Sequence, residues 1–118
     1  MLFYTSTKDG GRTFAARTQI PGLGSAKASH PQITIDHAGR LFVAWDEIID
    51  GKRTAAVREI KPAAAVTFGP ILTLTSDAAG QYPVLASTSD NLIAAWTTPA
   101  AGITVARVSV GEAAGSTR

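Results

Sequence analysis

The sequence HPQITIDHAGRLFVAW, residues 30–45, returns in outline as YPVLASTSDNLIAAW at residues 82–96. In both stretches an aromatic ring precedes proline, an apolar segment follows, a polar turn interrupts it, and a second apolar segment ends in tryptophan. The two tryptophans, Trp45 and Trp96, are 51 residues apart. A repeat of this length, made of short apolar segments and turns, indicates a protein built from copies of one small β-sheet.

The rest of the chain continues the pattern of short apolar segments bounded by turn residues. Eleven Gly and six Pro interrupt nearly every window that is long enough for a helix, which favours strands. Nine strands are predicted, at Leu2–Thr5, Ala15–Ile20, Gln32–Ile35, Leu41–Trp45, Thr54–Ile60, Ile71–Thr75, Val84–Ser87, Leu92–Trp96 and Ile103–Val110. Hairpin turns at 37–39, 50–52, 89–91 and 99–102 make consecutive strands antiparallel neighbours.

Composition limits the function classes. A chain of 118 residues has room for one domain, and 45% apolar with 17% charged residues is too hydrophobic for a disordered chain. The net charge of +2 comes from scattered residues, so no nucleic-acid partner is predicted. No apolar run approaches the roughly 20 residues of a membrane span, and no membrane partner or signal peptide is predicted. With no cysteine and two distant histidines, no metal or cofactor is predicted.

Residues 7–14, TKDGGRTF, fill every specified position of the pattern Ser/Thr-x-Asp-x-Gly-x-Thr-Trp/Phe. This stretch resembles the Asp-box of bacterial sialidases and related BNR-repeat β-propellers. A degenerate second copy lies at residues 61–68, where Ala63 and Ala65 replace the aspartate and the glycine. The resemblance extends over nearly the whole chain.

The box residues are expected to stabilise a hairpin turn. Asp9 can accept hydrogen bonds from turn amides, and Gly11 can adopt a positive φ. Thr7 and Thr13 can tie side chain to backbone, and Phe14 is expected to anchor the loop at the sheet edge.

In the family that the chain resembles, the Asp-box joins the third and fourth strands of a four-stranded antiparallel blade. The resemblance therefore implies an all-β, partial β-propeller in one domain, with Trp45 and Trp96 packed between blades. Its parts are a half blade at 1–20, a full blade at 30–75 and three strands of a third blade at 82–110, followed by a flexible tail at 111–118.

Two blades' worth of chain cannot close a propeller, which needs four to eight blades. Open sheet faces and unpaired strand edges are unfavourable in water. The expected partners are therefore further copies of this chain in a homo-oligomer, or the remaining blades of a larger propeller.

Candidate ligand-binding residues lie on the loops that line the upper face of such a propeller. Asp46 and Glu47 follow an apolar strand and are interpreted either as a solvated hairpin end or as a polar pair at the mouth of a glycan site. His30 and Tyr82 precede the prolines of the repeat, where they either stack on a sugar or belong to the construction of the sheet. The candidates are His30, Asp46, Glu47, Arg53, Gln81 and Tyr82.

Sialidases, by resemblance, use three arginines, an Asp acid and a Tyr nucleophile assisted by Glu. The Arg-Ile-Pro phrase that usually supplies the first arginine is absent, since residues 19–21 read Gln-Ile-Pro, and no catalytic residue is assigned. The predicted function is a structural or glycan-binding unit. The alternatives are an exo-α-sialidase or related glycosidase completed by further blades or by oligomerisation, and a protein-binding propeller. The resemblance suggests a bacterial secreted or periplasmic protein; the residues themselves leave the compartment open.

Overall fold

The structure, a computed structural model, describes residues 1–25, 27–75, 79–100 and 102–109; the predicted tail at 111–118 lies outside them. The described residues form strands and no helix, so none of them builds a helix that could cross a membrane. Their strands are β1 Leu2–Tyr4, β2 Thr18–Ile20, β3 Ser29–Ile35, β4 Leu41–Ile49, β5 Lys52–Lys61, β6 Thr67–Phe68, β7 Leu72–Thr73, β8 Gln81–Ser87, β9 Leu92–Thr98 and β10 Gly102–Val108. All their pairings are antiparallel, which confirms the predicted fold class at the level of an all-β, antiparallel chain.

The described strands are arranged in separate sheets that follow the chain order. The first sheet pairs β1 with β2, and the third sheet has the order β8-β9-β10. The central sheet has the order β3-β4-β5, and both β6 and β7 pair with the far side of β5. None of these sheets closes on itself within the described residues.

The strand that follows β5 differs from the prediction. One strand was expected at Ile71–Thr75, whereas the structure has two short strands, Thr67–Phe68 and Leu72–Thr73. Gly69 and Pro70 separate them, and Pro70 has no backbone N–H to donate to the ladder. The central sheet therefore has its fourth position filled by two pieces of chain, and ten strands are described instead of nine.

The β4–β5 hairpin turns on two residues, Asp50 and Gly51. Their φ angles are +52° and +77°, as a tight hairpin turn of the I′ type requires at both positions. This turn fixes the register in which Ile49 pairs with Lys52 and Asp46 pairs with Ala55.

The hydrophobic core lies between the sheets and consists of two clusters. Trp45 is fully buried between the central sheet and the first sheet, where it joins Leu2 and Ile20. Trp96 is buried between the third sheet and the central sheet, where it joins Phe42 and other residues of both sheets. The tryptophan of each repeat thus fills the interface between its own sheet and the preceding one.

Candidate functional site

The candidate site begins at two unusual backbone positions, one in each repeat. His30 has a φ of +55° and Tyr82 has a φ of +54°, and both residues precede proline. In both places the register shifts, between Ser29 and Gln32 and between Gln81 and Val84. A bulky residue in the left-handed region costs about 1–3 kcal/mol, and such strain is concentrated at functional sites. Each register shift is a β-bulge, and the rings of His30 and Tyr82 lie next to each other.

Asp46 is the buried hydrogen-bond acceptor that connects the residues of this site. Its carboxylate is fully buried in β4, whereas an exposed loop residue was one of the two interpretations of its position. Asp46 accepts hydrogen bonds from His30 Nδ1 at 2.9 and 3.0 Å, from the backbone N–H of Tyr82 at 2.7 Å, and from the Arg53 guanidinium. The solvated-end interpretation of Asp46 is therefore wrong, because four donor contacts replace water around its oxygens.

The groups above Asp46 are accessible to a ligand. The rings of His30 and Tyr82 have centroids 4.1 Å apart and an interplanar angle of 46°. The side chain of His30 is 36% exposed, Tyr82 is 53% exposed, and Arg53 is partly exposed. His30 Nδ1 faces the Asp46 carboxylate, so Nε2 is the ring nitrogen that remains for a ligand. The surface thus combines an aromatic face, an imidazole nitrogen, a phenol and a guanidinium.

Glu47 does not belong to this surface. It is also fully buried in β4. Side chains alternate between the two faces of a strand, so Glu47 lies on the opposite face from Asp46, on the same side as Trp45 and the first sheet. Its carboxylate accepts hydrogen bonds from the backbone N–H groups of Leu23 at 2.8 Å and Ser25 at 3.0 Å, and from Trp45 Nε1 at 2.6 Å. Glu47 is therefore neither a solvated hairpin end nor part of the mouth of a glycan site. Its carboxylate binds the backbone of the segment before β3 and holds that segment against the core.

Of the two glutamines near the seam between the central and third sheets, Gln81 was a candidate and Gln32 was missed. Gln81 pairs with Thr97 in the ladder of the third sheet, next to Tyr82. Gln32 Oε1 accepts a hydrogen bond of 2.7 Å from the backbone N–H of Leu85 and so joins the two sheets. A signal was present in the repeat, since Gln32 stands after the proline where the second copy has the apolar Val84.

The side chain of Arg58 forms hydrogen bonds with backbone carbonyl groups. Its guanidinium donates to the carbonyl oxygen of Gly69 at 2.6 and 3.0 Å and to that of Pro21 at 2.6 Å. Burial lowers the pKa of Arg58 below its ordinary value. This arginine therefore ties the central sheet to neighbouring segments.

The loop of residues 7–14 is organised by Asp9. Its carboxylate accepts hydrogen bonds from the backbone N–H groups of Arg12 and Thr13 and from the hydroxyls of Thr13 and Thr7, at distances of 2.7 to 3.1 Å. Gly11 has a φ of +93°, and its N–H donates to Thr7 Oγ1 at 3.0 Å. These bonds close the turn from within.

Phe14 does not anchor this loop. Its ring is 61% exposed, and the other residues of 7–17 are exposed too. The expectation that Phe14 anchors the loop at the sheet edge is not met, because most of the ring is in contact with solvent.

The bonds to Asp9 predict an acid dependence. The hydroxyl and the amide of Thr13 and the hydroxyl of Thr7 lower the pKa of Asp9 from 3.8 to about 2. Because the folded state binds the proton less tightly than the unfolded state, this contribution to stability is present above about pH 4 and is lost as the pH falls to about 2. An NMR titration of the Asp9 carboxyl carbon should give a midpoint near 2, and Asp9→Asn should weaken the acid dependence of the unfolding midpoint. A midpoint close to 3.8 would contradict the assignment.

No group of three or more His, Asp or Glu side chains within the described ranges is arranged to hold a metal ion. Fold and site together define an all-β chain of stacked antiparallel sheets that carries an aromatic and arginine-bearing surface over a buried aspartate. Comparisons with protein families, with curated proteins and with solved structures found no match to the chain.

Proposed function

We propose that the chain is a segment of a sialidase-like Asp-box β-propeller and that it binds a glycan at the surface formed by His30, Arg53 and Tyr82. The propeller part of the proposal is supported by the stacking of successive sheets with one tryptophan in each interface. It is also supported by the turn that Asp9 organises between β1 and β2. In this interpretation the first, central and third sheets are consecutive blades.

The observation that carries the binding proposal is the pairing of His30 and Tyr82, both held with positive φ over one buried carboxylate. A sugar ring has apolar C–H faces and a rim of hydroxyls. The Tyr82 ring offers a stacking face, while His30 Nε2 can form a hydrogen bond with a hydroxyl and Arg53 donates to a hydroxyl or a carboxylate. Since Asp46 fixes both His30 and Arg53, the donors and acceptors are placed before a ligand arrives, which reduces the entropic cost of binding.

The test is a titration of the protein with sialyllactose and, separately, with lactose, followed by calorimetry and by NMR shifts. Tyr82→Ala should weaken binding by about tenfold or more, which corresponds to about 1.4 kcal/mol. Phe14→Ala is the matched control, because it removes another exposed aromatic ring, from the loop at residues 7–14, and should leave binding unchanged. Arg53→Lys should reduce the preference for the sialylated sugar, since lysine cannot form the bidentate contact to a carboxylate.

The proposal fails if neither sugar produces heat or shifts of the residues around Tyr82. Binding that Tyr82→Ala leaves unchanged would place the glycan site elsewhere. Glu47→Ala is not a suitable binding variant, because the side chain of Glu47 is an internal anchor.

A glycoside hydrolase is the second candidate, and the His30–Asp46 pair is the observation that favours it, because a carboxylate can orient an imidazole as a base. Asp46 itself has no contact with solvent and all its bonds are directed to protein groups, so it does not serve as a general acid. Residues 1–118 alone are expected to give no turnover of a fluorogenic sialoside at neutral pH. Turnover that His30→Ala abolishes would establish the hydrolase instead.

A further inference from the structure

The outward face of the third sheet, which points away from the central sheet, is open to solvent, and apolar side chains occupy its middle. Val84, Ile103 and Val105 are exposed on it. Ala95 lies between Val84 and Val105 in the ladder and completes a continuous apolar row across the three strands. Aliphatic side chains that are contiguous on one sheet face mark an interaction surface.

The corresponding face of the central sheet is covered by the third sheet. Ala44 pairs with Val57 in the central sheet as Ala95 pairs with Val105 in the third sheet. Ala44 and Val57 are fully buried against the third sheet, whereas Val105 is 62% exposed. The third sheet therefore repeats the surface by which the central sheet binds its neighbour.

The chain also carries the complementary surface. Leu85 of the third sheet packs into the covered face of the central sheet. Its counterpart in the central sheet is Ile33. Leu85 pairs with the residue two positions before Trp96, and Ile33 pairs with the residue two positions before Trp45. Leu85 is 8% exposed, but Ile33 is 53% exposed and Ile35, two residues later on β3, is also exposed.

The space around Ile33 has room for a partner. An apolar cavity of about 320 Å³ lies between the first sheet and the central sheet, and Phe3, Ile20, Ile33 and Val43 are among the residues that line it. The first sheet covers the side of the central sheet that carries Trp45, but on β3 it leaves Ile33 and Ile35 exposed.

We propose that copies of this chain associate head to tail, with Ile33 and Ile35 of one copy packed on the outward face of the third sheet of the next copy, at Val105. A second copy is the occupant because a single chain presents both surfaces, and because the packing of Leu85 on the central sheet already shows this type of contact inside the molecule. The two surfaces differ, so the interface is heterologous, and it produces a closed ring or an open chain of copies. This association does not depend on glycan binding.

Sedimentation velocity of the 118-residue chain, from low to high micromolar concentration, tests the proposal. The protein should form oligomers, and Val105→Lys and Ile33→Lys should each convert it to a monomer that still unfolds cooperatively, with the midpoint that the wild type shows at concentrations where it is itself monomeric. Ile48→Lys is the matched control, because Ile48 is another exposed isoleucine, at the end of β4 and outside both surfaces, and the oligomer should persist. If Val105→Lys does not fold, Ile103→Lys replaces it on the same face.

Mixing the two monomeric variants decides between head-to-tail and symmetric contacts. Ile33→Lys keeps an intact third-sheet face, and Val105→Lys keeps an intact Ile33 surface, so an equimolar mixture should form one-to-one pairs and nothing larger. A wild-type chain that remains monomeric at high concentration would overturn the proposal. Dimers of Ile33→Lys alone would overturn it in favour of a symmetric contact.

Discussion

Glu47→Ala is expected to destabilise the protein by about 3–5 kcal/mol, because it leaves three donors without an acceptor and each buried unsatisfied donor costs about 1–3 kcal/mol. The donors are the backbone N–H groups of Leu23 and Ser25 and the indole N–H of Trp45. The side chains of Glu47 and Trp45 are both fully buried, and the bonds from Leu23 and Ser25 are partly buried, so the freed donors gain little compensation from water. A loss of this size is a large part of the total stability of a small domain, about 5–15 kcal/mol.

Urea unfolding followed by tryptophan fluorescence measures this loss. Glu47→Gln keeps one acceptor oxygen but turns an amide N–H₂ toward a donor, so it should lie between the wild type and Glu47→Ala. Asp90→Ala, which removes an exposed carboxylate in the β8–β9 turn, is the control and should change the stability by less than about 0.5 kcal/mol. A Glu47→Ala protein as stable as this control would show that the carboxylate contributes nothing to folding.

Trp45→Ala is expected to cost about 3–5 kcal/mol, the range for removing a large aromatic side chain from a packed core. Trp45 is the largest fully buried side chain, and it lies against Leu2 and Ile20 where the central sheet meets the first sheet. Its removal creates a cavity in that interface, so the first sheet should lose protection against hydrogen exchange earlier than the third sheet does.

Two comparisons make the Trp45 prediction specific. Phe14→Ala removes an aromatic ring that is 61% exposed and should change the stability by less than about 0.5 kcal/mol. The double variant Trp45→Ala, Glu47→Ala should lose less than the sum of the single variants, because they share the bond from Trp45 Nε1 to Glu47. Additive losses would contradict a shared network, and equal losses in Trp45→Ala and Phe14→Ala would contradict the assignment of the core.

Much of the local structure follows from the sequence. Alternating apolar residues with a period of two predict strands, and Asp50-Gly51 predicts a two-residue turn, because both effects act within a few residues of chain. The repeat of Trp45 and Trp96 predicts equivalent positions in successive sheets, and in the structure each ring lies between its own sheet and the preceding one. The break of the strand after β5 was missed, although Pro70 carried the signal.

The candidate site shows where local reasoning ends. His30 and Tyr82 are recognisable as a pair from the repeat, but their contact at 4.1 Å depends on the docking of the third sheet on the central sheet. Whether a carboxylate at the end of an apolar strand meets water or protein donors is decided by segments far away in sequence. Asp46 is bound by Tyr82, 36 residues away, and Glu47 by Leu23, 24 residues away.

Most strands, the hairpin turns and the equivalence of the two repeats can therefore be predicted from nearby residues, because they depend on backbone sterics and on the alternation of side chains along a strand. The tertiary structure alone decided that adjacent carboxylates in β4 have different roles, one beneath the aromatic surface and one in the core beside Trp45. It also decided which of two similar sheet faces is covered and which is open. Burial of these groups is a property of packing between distant segments, and no local pattern of residues encodes it.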